Sequence, residues 1–232
     1  MKKTKKWIFI LGIISVFVSC NEIDNYEMPD GGIKGTIYDE ETNEPIPLPV
    51  PGSTGVMINL MEQNTSATKS IDIYAKQDGT YQHSQLFNGD YKVTVNGPFV
   101  GKCEGVTTVK GQTEFNLKAI PYVRISATAL VTGTNKVSIQ YKSVPTDESF
   151  VVSEVTALWN FAPGVDVGNA NFAGKKVVSE AEGTIEFDLG NDKVFKDNLY
   201  KIQANQNRIY LRIAAKTNGM VNYSPTLTVT LQ

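Results

Sequence analysis

The chain has one histidine, His83, in 232 residues. That scarcity excludes a two-histidine zinc site and a His-Glu-x-x-His motif. A Ser-His-Asp triad would have to run through His83, which follows the Asp78-Gly79 turn signal, and no Gly-x-Ser-x-Gly elbow holds a nucleophile. Cysteine is almost as sparse. Cys20 and Cys103 are the only two, so the chain is no disulfide scaffold. Positive charge is also short. The net charge is −2, and Lys2, Lys3, Lys5 and Lys6 supply four of the 22 basic residues. Without those four, 18 basic residues face 24 acidic ones, a net charge of −6, which argues against a nucleic-acid binder. Long hydrophobic runs are limited to residues 7–18. Twelve residues rise only about 18 Å as a helix, too short for a hydrocarbon core of ~30 Å.

What is present at the N-terminus is a basic stretch, that short apolar core, and Phe17-Val18-Ser19-Cys20. The pattern is a secretory signal peptide over residues 1–19, cut before Cys20. A cysteine directly after the cut resembles a bacterial lipoprotein signal, in which Cys20 is the lipid attachment site. Phe17 and Val18 depart from the usual leucine-first box. Two or more acyl chains give stable attachment to a membrane, where one is marginal. With Cys20 acylated, Cys103 has no partner and reads as a buried small hydrophobe rather than a reactive thiol. Residues 20–30 form the lipidated cysteine and an acidic tether, which reaches ~35 Å over ten extended residues. Asn21 follows the cysteine, so the aspartate used for inner-membrane retention is absent. Glu22, Asp24 and Glu27 resemble export signals of surface lipoproteins.

From Gly32 onward the period is two. Ile33, Gly35 and Ile37 alternate with Lys34, Thr36 and Tyr38, and Val56, Ile58 and Leu60 with Met57, Asn59 and Met61. Further strands are expected at 71–75, 81–86, 91–95, 105–109 and 113–117, with Asp78-Gly79 and Asn88-Gly89-Asp90 as turns. Tyr81 and Tyr91 are expected to pack inward. Seven short strands suggest an antiparallel sandwich over residues 31–119. Pro45, Pro47, Pro49 and Pro51 alternate and favour polyproline II, either as a stiffened loop or as a docking strip. Ala119-Ile120-Pro121-Tyr122 reads as a hinge into a second sandwich over residues 120–232. Its strands are expected at 123–129, 137–141, 151–160, 185–189, 208–215 and 226–231, with one or two helical turns between Asp192 and Asn205. The fold class is therefore all-β, two tandem β-sandwiches.

Gly35-Thr36-Ile37-Tyr38-Asp39, Asp78-Gly79-Thr80-Tyr81 and Gly89-Asp90-Tyr91-Lys92-Val93 resemble the carboxypeptidase-regulatory, or transthyretin-like, sandwich. Tyr210-Leu211-Arg212-Ile213-Ala214, the Asn218-Gly219 turn and Tyr223-Ser224-Pro225 resemble the last hairpin of a fibronectin type III-like, or Ig-like, domain. With Asp24-Asn25-Tyr26 and Pro29 ahead of them, these motifs make the chain similar to the lipoproteins called "domain of unknown function 3823". The resemblance implies an outer-membrane lipoprotein, facing the cell surface with the periplasmic face as the alternative. It also implies partners in a glycan-uptake system: a TonB-dependent transporter and a SusD-like lipoprotein.

No catalytic constellation, cofactor motif or metal site is expected, and the chain reads as not an enzyme. Glu186, Asp188, Asp192 and Asp197 lack the spacing of a calcium loop and read as a solvated face. Glycan binding needs less: an aromatic ring for the apolar face of a sugar, with amides and carboxylates for its hydroxyls. The stretch richest in both is Trp159-Asn160-Phe161 through Asn169, Asn171 and Phe172. Trp159, Phe161, Asn169, Asn171 and Phe172 are the expected glycan-binding residues. Against this, Trp159 shares parity with Val155 and Ala157 and also reads as core. The alternative function is a structural or docking subunit of the transporter complex that binds protein and not sugar.

Overall fold

The structure is a computed structural model that describes residues 28–232. The expected signal peptide, Cys20 and all but the last three residues of the expected tether lie outside the described residues.

The first sandwich is built from β1 (Gly31–Asp39), β2 (Met57–Glu62), β3 (Ile71–Tyr74), β4 (Thr80–Leu86), β5 (Gly89–Asn96), β6 (Phe99–Val100), β7 (Cys103–Val109), β8 (Gln112–Glu114) and β9 (Leu117–Pro121). One sheet runs β4-β1-β9-β6, with β8 also on β1, and the other runs β3-β2-β5-β7. Alternation explains the strands. Ile33 and Ile37 of β1, Ile58 and Leu60 of β2, and Val93 and Val95 of β5 point into one core, while their neighbours face outward. Tyr81 and Tyr91 lie in that core, as expected. The sheet is not purely antiparallel. β8 and β9 both run parallel to β1, because the chain crosses between sheets after β7 and returns in the direction of the first strand. The strand expected at 113–117 is accordingly broken at Phe115, whose carbonyl oxygen accepts from the Tyr81 hydroxyl.

Gly35 makes this crossing possible. A Cβ at Gly35 would run into the Phe115 carbonyl and the Tyr81 ring. Gly79 has a different reason: its φ of +81° is a left-handed conformation, and the Asp78 carboxylate closes the turn by accepting from Thr80 N at 3.0 Å.

A bend at Tyr122 alone separates β9 from β10 (Val123–Gly133), so the turn between the two sandwiches is one residue long. The second sandwich adds β11 (Lys136–Pro145), β12 (Val152–Asn160), β13 (Gly174–Val178), β14 (Glu182–Asp188), α1 (Lys193–Asp197), α2 (Leu199–Ala204), β15 (Arg208–Thr217), β16 (Met220–Tyr223) and β17 (Leu227–Thr230). Its sheets are β10-β11-β14 and β13-β12-β15-β16, with β17 also on β15. Asn218 and Gly219 take positive φ in the turn from β15 to β16, as the Asn-Gly pair requires. The Asp192 carboxylate caps α1 by accepting from Val194 N and Phe195 N.

The core of the second sandwich gathers around Trp159, Phe187, Phe195 and Leu211. β12 departs from alternation: every residue from Val155 to Asn160 is buried. Its outer face is covered twice, by the segment 161–173 folding back and by the first sandwich. Leu158, Val165, Ala214 and Tyr223 make a separate small core there.

Candidate functional site

The segment from Pro45 to Gly55 is one of the links between the two sandwiches. It is neither a free docking strip nor only a stiffened loop. Ile46 and Leu48 are buried in the first core, and Leu48 N donates to Gln77 O at 3.0 Å. The strap then reaches across. Val50 N and the Thr54 hydroxyl both donate to Asp166 Oδ2 at 2.8 Å. Asp166 is wholly buried, and its other oxygen accepts from Gly168 N at 2.7 Å and Asn171 Nδ2 at 2.9 Å. A buried carboxylate with four donors is satisfied, which is the condition for keeping it inside.

Arg212 is the second buried charge, with no exposed surface. Its Nε donates to Ser224 O at 2.8 Å, and its Nη1 to Gln77 Oε1 and Val165 O at 3.0 Å each. The guanidinium lies 4.6 Å from the Tyr223 ring centroid. Burial pushes the Arg212 pKa down to about 10, against the opposing pull of Tyr223 and Asp166, so the group stays cationic at neutral pH. Gln77 pins the first sandwich to this charge. Its Oε1 also accepts from Val165 N at 3.0 Å, and its Nε2 donates to Pro163 O at 3.0 Å.

A separate clasp joins the start of β10 to the end of β1. Arg124 Nε donates to Asp39 Oδ2 at 2.6 Å and Arg124 Nη2 to Asp39 Oδ1 at 2.9 Å, with Glu41 2.9 Å from the same guanidinium. Burial alone would raise the Asp39 carboxyl, but the Arg124 side chain and the Glu41 backbone N–H together hold it below the usual carboxylate value. Asn222 completes the join: its Nδ2 donates to Pro98 O at 3.0 Å and its Oδ1 accepts from Tyr122 N at 3.1 Å.

Two grooves lie along this interface and share Glu44, Pro45, Pro47 and Pro225. The larger, about 750 Å³, is lined further by Lys76, Gln77, Asp78, Pro163, Tyr210, Thr226 and Thr228. Tyr210 is half-buried, stands opposite Thr228 across the β15–β17 pairing, and accepts from Asn205 Nδ2 at 3.3 Å through its hydroxyl. The side chains of Glu44, Lys76, Thr226 and Thr228 have no hydrogen-bond or ion-pair partner among the described residues. This groove therefore combines one aromatic ring with unspent donors and acceptors. The other, about 530 Å³, is walled by Val123, Ile125 and Val144, with the Asp39–Arg124 clasp at its edge.

The residues expected to bind glycan are placed otherwise. Trp159 is a correction: it is wholly buried, set edge-on to Phe195 with centroids 6.1 Å apart, and offers no face to a sugar. Gly174 sits against its ring, where a Cβ would collide with the indole. Phe161 is half-buried against the second core, with Lys201 Nζ 5.0 Å from its centroid. Phe172 is half-buried against the small outer core, with Lys175 Nζ at 5.2 Å. Asn171 spends its amide on Asp166, and Asn169 is exposed. The loop is used chiefly to cover β12, and only Pro163 of its residues borders the larger groove. Tyr210 and Gln77 were missed. Nothing in period-two reading separates an outward strand residue in solvent from one under a second domain.

Elsewhere, His83 is half-buried on β4 with register partner Ile33. Cys103 is buried, and burial pushes its thiol up to about 11. Among the described residues, no three His, Cys, Asp or Glu side chains are grouped to hold a metal ion.

Comparison with known proteins places this geometry. Residues 31–120 match the family model described as "Protein of unknown function (DUF3823) N-terminal domain". No functionally curated protein matches the chain. Among solved structures, a DUF3823 family protein from Parabacteroides merdae is 22% identical over 88% of this chain and 100% of its own, with a TM-score of 0.73. A second, from Bacteroides uniformis, is 19% identical with the same coverages and a TM-score of 0.69. A candidate carbohydrate-binding protein, also from Bacteroides uniformis, is 23% identical over 88% of this chain and 100% of its own, with a TM-score of 0.66. The first sandwich is thus similar to the DUF3823 N-terminal domain, and the described chain as a whole shares the two-sandwich fold of the solved DUF3823 family proteins.

Proposed function

We propose that the chain is a non-catalytic, lipid-anchored protein of the outer membrane that binds glycan in the Tyr210 groove and presents it to a TonB-dependent uptake system with its SusD-like partner. The observation that carries this reading is the composition of the larger groove. Tyr210 supplies a ring for the apolar face of a sugar. Glu44, Lys76, Thr226 and Thr228 supply charges and hydroxyls that nothing else in the described chain consumes. A volume of about 750 Å³ falls within the range of ligand sites. That a neighbour of the same fold is described as a candidate carbohydrate-binding protein agrees with it.

The anchor suits the geometry. β1 begins at Gly31, next to the tether, and ends at Asp39, in the clasp with Arg124. At ~3.3 Å per residue those ends are about 26 Å apart. The first sandwich thus acts as a spacer that holds the grooves away from the lipid surface. No helix among the described residues is long and apolar enough to cross a membrane.

The test is a glycan array followed by calorimetry on the purified protein. At least one glycan binds, and Tyr210→Ala weakens it about tenfold or more, equivalent to ~1.4 kcal/mol. Phe161→Ala and Phe172→Ala leave affinity within about twofold. Absence of sugar binding, together with co-purification of a transporter, replaces this reading with the docking subunit.

A further inference from the structure

We infer that the smaller groove is an apolar subsite of the same binding site, and that the glycans bound carry an aromatic or similar apolar substituent. The inference rests on the carbohydrate reading above and adds the class of glycan to it.

Most of its polar groups are already spent; Glu44, which it shares with the larger groove, and Ser126 are the exceptions among the described residues. The Asp39 carboxylate and Arg124 guanidinium at its edge are paired at 2.6 and 2.9 Å, and Glu41 lies 2.9 Å from Nη2 of the same guanidinium. Both ends of the Asn222 amide are bonded, to Pro98 O and Tyr122 N. Lys142, on the β11 wall, is paired with Glu182 at 2.9 Å. Sugar hydroxyls entering here would give up water for few unspent partners, which is unfavourable. The rest of the lining is chiefly hydrocarbon: Val123, Ile125, Val144, Pro45, Pro47 and Pro225. Val144 is 46% exposed, an apolar side chain standing in an apolar cleft.

The occupant follows from continuity. Pro45, Pro47 and Pro225 line both grooves, so they form a common wall between the ring-and-hydroxyl groove and the hydrocarbon one. A ligand seated on Tyr210 can carry a substituent over that wall without any rearrangement of the domains. The interface that shapes both grooves is held by Gln77, Asp166 and Arg212, so the two subsites keep a fixed relation.

Two probes test this on the purified protein. The first is the neutral fluorophore N-phenyl-1-naphthylamine. It is expected to bind with one-to-one stoichiometry, to lose at least tenfold in affinity in Val144→Asp, and to be unaffected in Val177→Asp, a similarly exposed valine of β13 outside the groove. The second is a panel of sugars as matched methyl and phenyl glycosides. The phenyl member is expected to bind about tenfold tighter, with that increment lost in Val144→Asp and the methyl affinity retained. Fluorophore binding that is absent, or indifferent to Val144→Asp, overturns the apolar subsite. Equal affinity of methyl and phenyl glycosides overturns the substituted-glycan class. Fluorophore binding lost in Val144→Asp, with neither glycoside bound, overturns the carbohydrate reading itself and this class with it.

Discussion

The two sandwiches obey the same alternation rule to different degrees. In the first, β1 reads buried at Ile33, Gly35 and Ile37 with exposed or half-buried residues between them. In the second, β12 is buried at every position from Val155 to Asn160, and β15 at every position from Leu211 to Ala215. The strands are of one kind, but their outer faces have different neighbours. The outer face of the β12–β15 sheet lies under residues 161–173 and the first sandwich, and the cover brings two charges in with it. The first sandwich is a body with one core. The second is a body with a core and a docked face, and that face is where the grooves form.

The strongest way to break this difference is to unload the docked face. Arg212→Leu takes the Arg212 donors from Val165 O and Ser224 O, leaves Gln77 Oε1 with only Val165 N, and removes the cation near Asp166. Breaking one partner of a buried charged network costs about 3–5 kcal/mol. Urea denaturation is expected to show that loss, and limited proteolysis to show new cutting near 161–173. Gln77→Ala, made from the other side of the interface, should be non-additive with it, since the two residues share one set of bonds. Additive losses would mean that the network does not join the domains.

A change of similar kind in the first sandwich should act locally. Gly35→Ala drives a methyl group into the Phe115 carbonyl and the Tyr81 ring. Overpacking of this sort costs about 1–3 kcal/mol. The loss should appear in denaturation of the whole chain and leave glycan or fluorophore affinity of the folded protein unchanged, because Gly35 touches neither groove.

How far the sequence carried this comparison depends on what each residue faces. Ile33, Ile58 and Val93 declare their sides because water lies opposite them. Asn218-Gly219 and Asp78-Gly79 declare turns because only those backbones suit them. β6 and β13 were invisible, being two and five residues long with no contrast between their faces. Phe115 hid the crossover, since an apolar residue between Thr113 and Leu117 reads as strand. The site was less legible still. Trp159 and Phe161 draw attention as aromatics, yet they pack into the second core, while Tyr210 and Arg212 stand in the sequence only as part of a hairpin motif. Asp166 stands within the aromatic stretch with nothing to say that Val50 and Thr54, more than a hundred positions earlier, donate to it.

The clasp between Asp39 and Arg124 sharpens the comparison through pH. Because the folded carboxyl lies below its ordinary value of 3.8, the unfolded chain binds more protons in that range. The contribution is fully present above pH 3.8 and is lost as pH falls through the lower folded value. Asp39→Asn removes this dependence and is expected to cost about 1–2 kcal/mol at neutral pH, the loss of a charge-assisted pair. An unchanged acid limb of the stability profile in Asp39→Asn would assign that limb to other carboxylates.

The smallest effect belongs to Cys103, which tests whether the first core stays closed when the docked face is opened. Its thiol is buried and pushed up to about 11, so both access and thiolate fraction are low. Ellman's reagent at pH 8 is expected to leave the native protein essentially unlabelled and to react fully in urea. In Arg212→Leu the labelling rate should rise only as far as global unfolding rises, since β7 packs on β5 and not against the second sandwich. A rate increase beyond that would show that the two cores share one opening motion. Cys103→Ala, which trims one sulfur atom from the core, is expected to cost about 1 kcal/mol by removing buried area and leaving a small void.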